Sequence, residues 1–170
     1  MIHHHVYQVS NFLEHKKKLI DLIYKIPINP LERVKGEKIS HQDYNLPKSM
    51  TREYARYFEN NMCDEYAKEF CNFLNCKRIN ITGMWFQVYK KGDHHNLHSH
   101  PGTNFTNVFY LNLPNKEIKT KIFINNNEQF NIDVKEGDIL TFPGYYAHCS
   151  PINTFNEDKI VIAFNTDSIF

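Results

Sequence analysis

The chain has 170 residues, with 20 Lys+Arg against 19 Asp+Glu and a formal charge of +1. That balance excludes the strongly basic footprint of a nucleic-acid or anionic-membrane binder, and no apolar run approaches the roughly 20 residues of a membrane span. The length suits one domain, 1–170, large enough to bury a core without staples.

In chain order, the first residues, MIHHHVYQV, show no apolar signal core and no cleavage site, so a cytoplasmic location is expected (the host's cytoplasm if a phage encodes the chain). His3 to His5 read as a tag remnant or a native strand end. Asn11 and Glu14 have capping-box spacing, and Phe12, Leu19, Ile20 and Ile23 share one helical stripe. Pro27 and Pro30 end that helix. Residues 27–49 read as a loop or irregular strand that could cover a site. A second helix is expected from about 51 to 75, with Thr51 as N-cap. Its stripe of Tyr54, Phe58, Met62, Tyr66 and Phe70 reads as a core face.

From residue 79 the period changes to two. Strands are expected over 79–89, 107–113, 119–124, 129–134, 138–142, 145–150 and 159–165, separated by turn signals such as Lys91-Gly92-Asp93 and Pro143-Gly144. Helices followed by this run make an α+β order, with 1–78 as helical support outside a β core, 79–170. Short strands with tight turns suggest a sandwich or barrel.

The ten histidines are unevenly spread, and five lie in two places in the β region. His98 and His100 are two apart, which on a strand puts both imidazoles on one face, about 6–7 Å apart. A metal ion at about 2.1 Å from each nitrogen fits between them, and His148 is the candidate third ligand. Three imidazoles suit iron, zinc, copper or nickel and leave positions open for chemistry. His94 and His95 follow a Gly-Asp turn and read as exposed or as neighbours of the ligands, while His15 and His41 are expected to be exposed. Cys63, Cys71, Cys76 and Cys149 form no CxxC pair and read as free thiols in a reducing compartment. Cys149 is next to His148, but neighbours on a strand diverge, which argues against a Cys/His nucleophile.

Gly92-x5-His98-x-His100-Pro-Gly, Val108-Phe-Tyr-Leu with Pro114, Gly137-Asp-Ile-Leu-x-Phe-Pro143, His148 and Lys159-x5-Asn165 resemble the small 2-oxoglutarate/Fe(II)-dependent oxygenases of bacteriophages and marine bacteria. The resemblance covers roughly residues 83–166. It implies a double-stranded β-helix (jelly-roll) core with helices packed outside. It also implies Fe(II), 2-oxoglutarate and O2, with release of succinate and CO2 and oxidation of a second substrate. The wider superfamily holds iron with His-x-Asp/Glu and a distal His; carried over, His98 is the first ligand and His148 the distal one, and His100 stands at the acid position. Lys159, eleven residues after His148, takes the place of the basic residue that pairs with the far carboxylate of 2-oxoglutarate. Tyr110, Tyr89 and, more weakly, Asn165 are further candidates for that carboxylate. Trp85, Phe109, Phe123, Phe142 and Phe164 are expected to form an apolar wall.

Two other readings share the fold. The same histidines resemble cupin motifs without the usual glutamate, which suits a three-His dioxygenase indifferent to 2-oxoglutarate. A non-enzymatic metal-binding jelly-roll module is the other, although structural zinc usually takes four protein ligands. The primary substrate and the oligomeric state are not legible in the sequence.

Overall fold

The computed structural model describes residues 4–28, 37–47, 49–125 and 128–170. Strand β1 (His5–Gln8) leads into helix α1 (Phe12–Ile23). Strand β2 (His41–Gln42) precedes α2 (Glu53–Phe58), which runs through a π-helical turn (Glu59–Cys63) into α3 (Asp64–Leu74). Then come β3 (Arg78–Tyr89), β4 (His95–His98), β5 (Phe105–Asn112), β6 (Lys121–Asn125), β7 (Glu128–Phe130), β8 (Asp138–Pro143), β9 (Ala147–Ser150) and β10 (Lys159–Ile169). All pairings are antiparallel, in a six-stranded sheet ordered β1-β8-β5-β10-β3-β2 and a four-stranded sheet ordered β4-β9-β6-β7. Among the described residues no helix is long and apolar enough to cross a membrane.

The helices cover one face of the six-stranded sheet. Phe58 meets Phe109 and Phe164 at 5.7 and 5.3 Å, and Tyr66 stands edge-on to Phe164 at 5.5 Å. The expected stripe is buried at every position from Tyr54 to Phe70. A four-residue repeat drifts about 40° per step around an α-helix, so four steps would carry it off the core face. The wider π turn at Glu59–Cys63 takes back part of that drift, which is why the expected single helix is interrupted there.

Other local expectations change in detail. Asn11 lies in the left-handed region (φ 51°) and its side chain makes no cap, while Arg52 rather than Thr51 precedes α2. The segment β1, not expected as a strand apart from its histidine, pairs with β8 through His5↔Thr141. His41 is buried rather than exposed, donating Nε2–H to Ile26 O at 2.9 Å, and His15 is half-buried against the Tyr57 hydroxyl at 3.0 Å.

The segment 37–47 is pinned beside β3. Asp43, fully buried, accepts the Phe86 amide on one oxygen at 2.8 Å, and on the other the Tyr54 hydroxyl at 2.7 Å and Arg52 Nε at 2.8 Å. Residues 29–36 and 48 of the expected covering loop lie outside the described residues.

Candidate metal centre

Strands β4 and β9 set His98 directly opposite His148, and their rings lie 4.2 Å apart. The third histidine arrives differently. Strand β4 ends at His98, so His100 reaches the site from a turn and not by strand alternation. The turn is fastened to the end of β8: His100 N–H donates to Gly144 O at 2.7 Å, and Gly144 N–H to Asn104 O at 2.9 Å. A Cβ on Gly144 would lie 2.5 Å from Thr103 O and 2.7 Å from His100 O, so only glycine permits this approach. The result is one ligand atom from each of His98, His100 and His148, all within 4.8 Å of one another.

The hydrogen bonds fix which nitrogen each ring offers. His98 Nδ1 bonds Asn96 O at 2.8 Å, and His148 Nδ1 bonds Tyr146 O at 3.1 Å. His100 Nδ1 bonds Asn165 Oδ1 at 2.8 Å. Oxygens of these kinds only accept, so each Nδ1 carries the proton and each Nε2 keeps a lone pair. Burial, then the neighbouring imidazoles, hold His148 down at about 3, and burial also lowers His98. Neutral imidazoles are the ligating form.

A fourth ring backs the site. His95 stacks on His98 at 4.0 Å, with Nδ1 3.2 Å from Gln87 Nε2 and Nε2 3.3 Å from Glu37 Oε1. Gln87 Oε1 in turn accepts the Tyr89 hydroxyl at 2.8 Å. His94 is tied by its backbone to Lys38 and does not join the triad.

The three histidines open on a cavity of about 300 Å³ that also holds Lys159. Lys159 is 1% exposed, and its Nζ donates to Ile118 O at 2.7 Å and Ser150 Oγ at 2.8 Å, 5.1 Å from the Tyr89 ring centre. Among the described residues no carboxylate pairs with it. Burial brings its pKa down to about 7. A buried ammonium with one N–H uncommitted and no counter-charge is costly unless an anion completes it.

The other expected site residues divide. Tyr89 lines the cavity, but its hydroxyl is directed to Gln87. Tyr110 does not line it; it packs in the apolar cluster behind, and its hydroxyl accepts the Thr120 amide at 3.2 Å. Asn165 sits behind His100. Trp85 and Phe142 flank His100 and His148, at 5.5 and 4.9 Å, as the expected wall requires. Phe109 and Phe164 do not: the alternation places them on the helix-facing side, and Val108, Val161 and Ala163 line the cavity instead. Cys149 borders the same cavity, and burial raises its thiol pKa, which disfavours the thiolate that a nucleophile needs. Gln87 and Glu37 carry no sequence signal for this role, and Gly144 shows in the sequence only as a turn residue, because the His100 carbonyl it makes room for lies 44 residues earlier.

No protein-family model matches the sequence, and a search of curated proteins finds no match. Solved structures do match. HygX from Streptomyces hygroscopicus, determined with nickel and 2-oxoglutarate bound, superposes with a TM-score of 0.71 at 10% identity, over 98% of this chain and 83% of that one. The viral collagen prolyl hydroxylase vCPH from Paramecium Bursaria Chlorella virus-1, in its 2OG complex, gives 0.63 at 16% identity, over 99% and 97%. A 2OG-Fe(II) oxygenase family oxidoreductase from Burkholderia pseudomallei gives 0.67 at 11%, over 95% and 84%. The chain shares their fold.

Proposed function

We propose that the chain is an Fe(II)- and 2-oxoglutarate-dependent oxygenase, with His98, His100 and His148 as the iron ligands and Lys159 as the partner of the far carboxylate of 2-oxoglutarate. The observation that carries this reading is the buried, uncompensated Lys159 in the same cavity as three neutral imidazoles. The two facing sheets are then the double-stranded β-helix core, and residues 1–78 add not only the covering helices but also β1 and β2 to the sheet of residues 79–170, so that the chain is one unit. The fold of HygX and vCPH supports both statements.

The donor set fits the group. Three imidazole nitrogens with fixed tautomers suit a divalent first-row ion and leave its remaining positions for co-substrate and O2. With 2-oxoglutarate and O2, bound iron supplies oxidative decarboxylation to succinate and CO2 and the oxidation of a second substrate. The chain's own residues do the rest. Lys159 orients the dianion from the far end, with Ser150 holding its Nζ. Val108, Val161 and Ala163 keep that part of the cavity apolar, which strengthens the carboxylate–ammonium pair. His100 in place of the family's acid leaves the ligand set uncharged. Free thiols at all four cysteines suit a reducing compartment, which supports the cytoplasm as the place of action.

A three-His dioxygenase of cupin type would use the same triad, but it gives Lys159 no task. A closed structural zinc site would need a fourth ligand, and only three such groups converge among the described residues. The test is anaerobic titration of the Fe(II)-loaded chain with 2-oxoglutarate. The expected result is a visible charge-transfer band and, on admitting O2, succinate. Iron binding with neither band nor succinate refutes the proposal.

A further inference from the structure

Four imidazoles gather at the centre, yet only three converge. His95 stacks on His98 at 4.0 Å, and its nitrogens stay outside the group formed by His98, His100 and His148. Its surroundings explain why. Lys38 and His94 exchange two backbone hydrogen bonds, at 3.2 and 2.8 Å, and this antiparallel bridge brings the flanking residues Glu37 and His95 together. His95 Nε2 stands 3.3 Å from Glu37 Oε1, with both side chains largely buried. Across the ring, His95 Nδ1 lies 3.2 Å from Gln87 Nε2. Gln87 and Tyr89 are two apart on β3 and share its cavity face, where the Tyr89 hydroxyl is 2.8 Å from Gln87 Oε1.

The protons along this row can be placed from its Glu37 end. A carboxylate only accepts, so the nitrogen that faces it carries hydrogen, and His95 is the Nε2–H tautomer. Its Nδ1 then holds the lone pair and accepts from the Gln87 amide N–H. That orientation turns Gln87 Oε1 to Tyr89, whose hydroxyl donates to it. The amide reversed end for end would set its carbonyl oxygen against a bare Nδ1, so the row has one consistent direction. His98, His100 and His148 are the opposite case, each with Nδ1–H and a bare Nε2. The single lone pair of His95 is engaged by Gln87, and none is left for an ion.

We infer that Gln87 is a positioning residue of the metal centre: with Glu37 it fixes His95 as the tautomer that cannot ligate, so that this ring braces His98 and the ion keeps its open positions. A fourth imidazole on the ion would instead make the closed, four-ligand set of a structural site. The inference rests on the triad as a metal centre, and not on the choice of co-substrate.

Two measurements test it. In the metal-free, nitrogen-15-labelled chain, long-range proton–nitrogen correlation spectra show which nitrogen of each ring carries the proton; the His95 signals are those missing from His95→Phe. The expected pattern is Nε2–H for His95 and Nδ1–H for the triad. Glu37→Gln should give a mixture of both His95 tautomers, because an amide can donate or accept at that point. The second measurement follows the visible absorption of the Co(II)-loaded chain, with azide as the probe of open positions. Gln87→Leu should strengthen that absorption, as four-coordination does, and weaken azide binding about tenfold, because the freed His95 takes a position on the ion. Adding His95→Phe to Gln87→Leu keeps a stacked ring but removes its nitrogens, and should restore both signals to those of the parent. The inference is overturned if His95 in the parent carries a proton on Nδ1, if Glu37→Gln leaves the Nε2–H tautomer unmixed, if Gln87→Leu binds azide as the parent does, or if the double variant stays as weak as Gln87→Leu. Failure of the parent to bind Co(II) would refute the metal centre itself, a result distinct from a wrong tautomer, which is read without any ion.

Discussion

The two faces of the six-stranded sheet are built to opposite ends. Along β10, Ile160, Ile162 and Phe164 face the helices, and with Phe58, Tyr66, Phe70 and Phe109 they fill that layer with large side chains. The intervening Lys159, Val161 and Ala163 face the other way and line a cavity. Strand β5 repeats the pattern, with Phe109 and Leu111 on the helix side and Thr106 and Val108 on the cavity side. One face is closed by size and gives stability. The other is kept open by small residues and carries a buried cation that, among the described residues, meets two neutral oxygens but no carboxylate.

Neighbouring substitutions on β10 should therefore fail in different ways. Phe164→Ala should cost about 3–5 kcal/mol of unfolding free energy, read by urea melts, because it opens a hole in the packed face. Ala163→Leu should cost far less and should abolish 2-oxoglutarate binding by filling the cavity. Equal stability losses at the two positions would erase the distinction between the faces. Lys159→Met is the sharper case. It should weaken 2-oxoglutarate binding about 100-fold while raising the melting temperature of the ligand-free chain, since it removes a buried charge that nothing in the protein compensates. Calorimetric titration and a thermal melt of the same preparation check both halves.

The same contrast explains what was legible in sequence. Periodicity found most of the strands from residue 79 onward and the buried stripe from Tyr54 to Phe70, because these patterns are local. It found the three histidines because ligand type and spacing are specific. It did not find the phase of β5 and β10, and so assigned Phe109 and Phe164 to the wrong face: both faces are apolar, and a one-residue shift leaves the pattern equally good. Nor did it show that His100 comes from a turn. That depends on Gly144, 44 residues away, whose missing side chain makes room for the Thr103 and His100 carbonyls. Nor does the sequence show that Asn165 stands behind His100, since only the fold brings the two together.

Asn165 gives the next prediction. His98 and His148 direct Nδ1 to backbone carbonyls two residues back in the chain, but His100 depends on a side chain from β10. Asn165→Ala should weaken Ni(II) or Co(II) binding about 10- to 100-fold, and Asn165→Asp should retain it. Unchanged metal affinity in the alanine variant would show that the Gly144 turn alone aims the ring.

The smallest effect is also the most diagnostic of the cavity face. Burial lowers the Lys159 pKa from 10.5 to about 7. In the ligand-free protein the ammonium is thus lost as pH rises through about 7, whereas in the unfolded chain it persists to 10.5. Between those values the unfolded state binds more protons, so stability of the ligand-free chain rises with pH across the window. A bound carboxylate favours the ammonium and raises its pKa again. Binding of 2-oxoglutarate should therefore weaken by up to about tenfold per pH unit above 7 and should take up a proton at pH 8. Titrations in buffers of differing ionisation heat read that proton directly, and Lys159→Met should lose it. A dissociation constant flat from pH 7 to 9 would mean that Lys159 does not meet the carboxylate, and the cavity face would then owe its open shape to some other ligand.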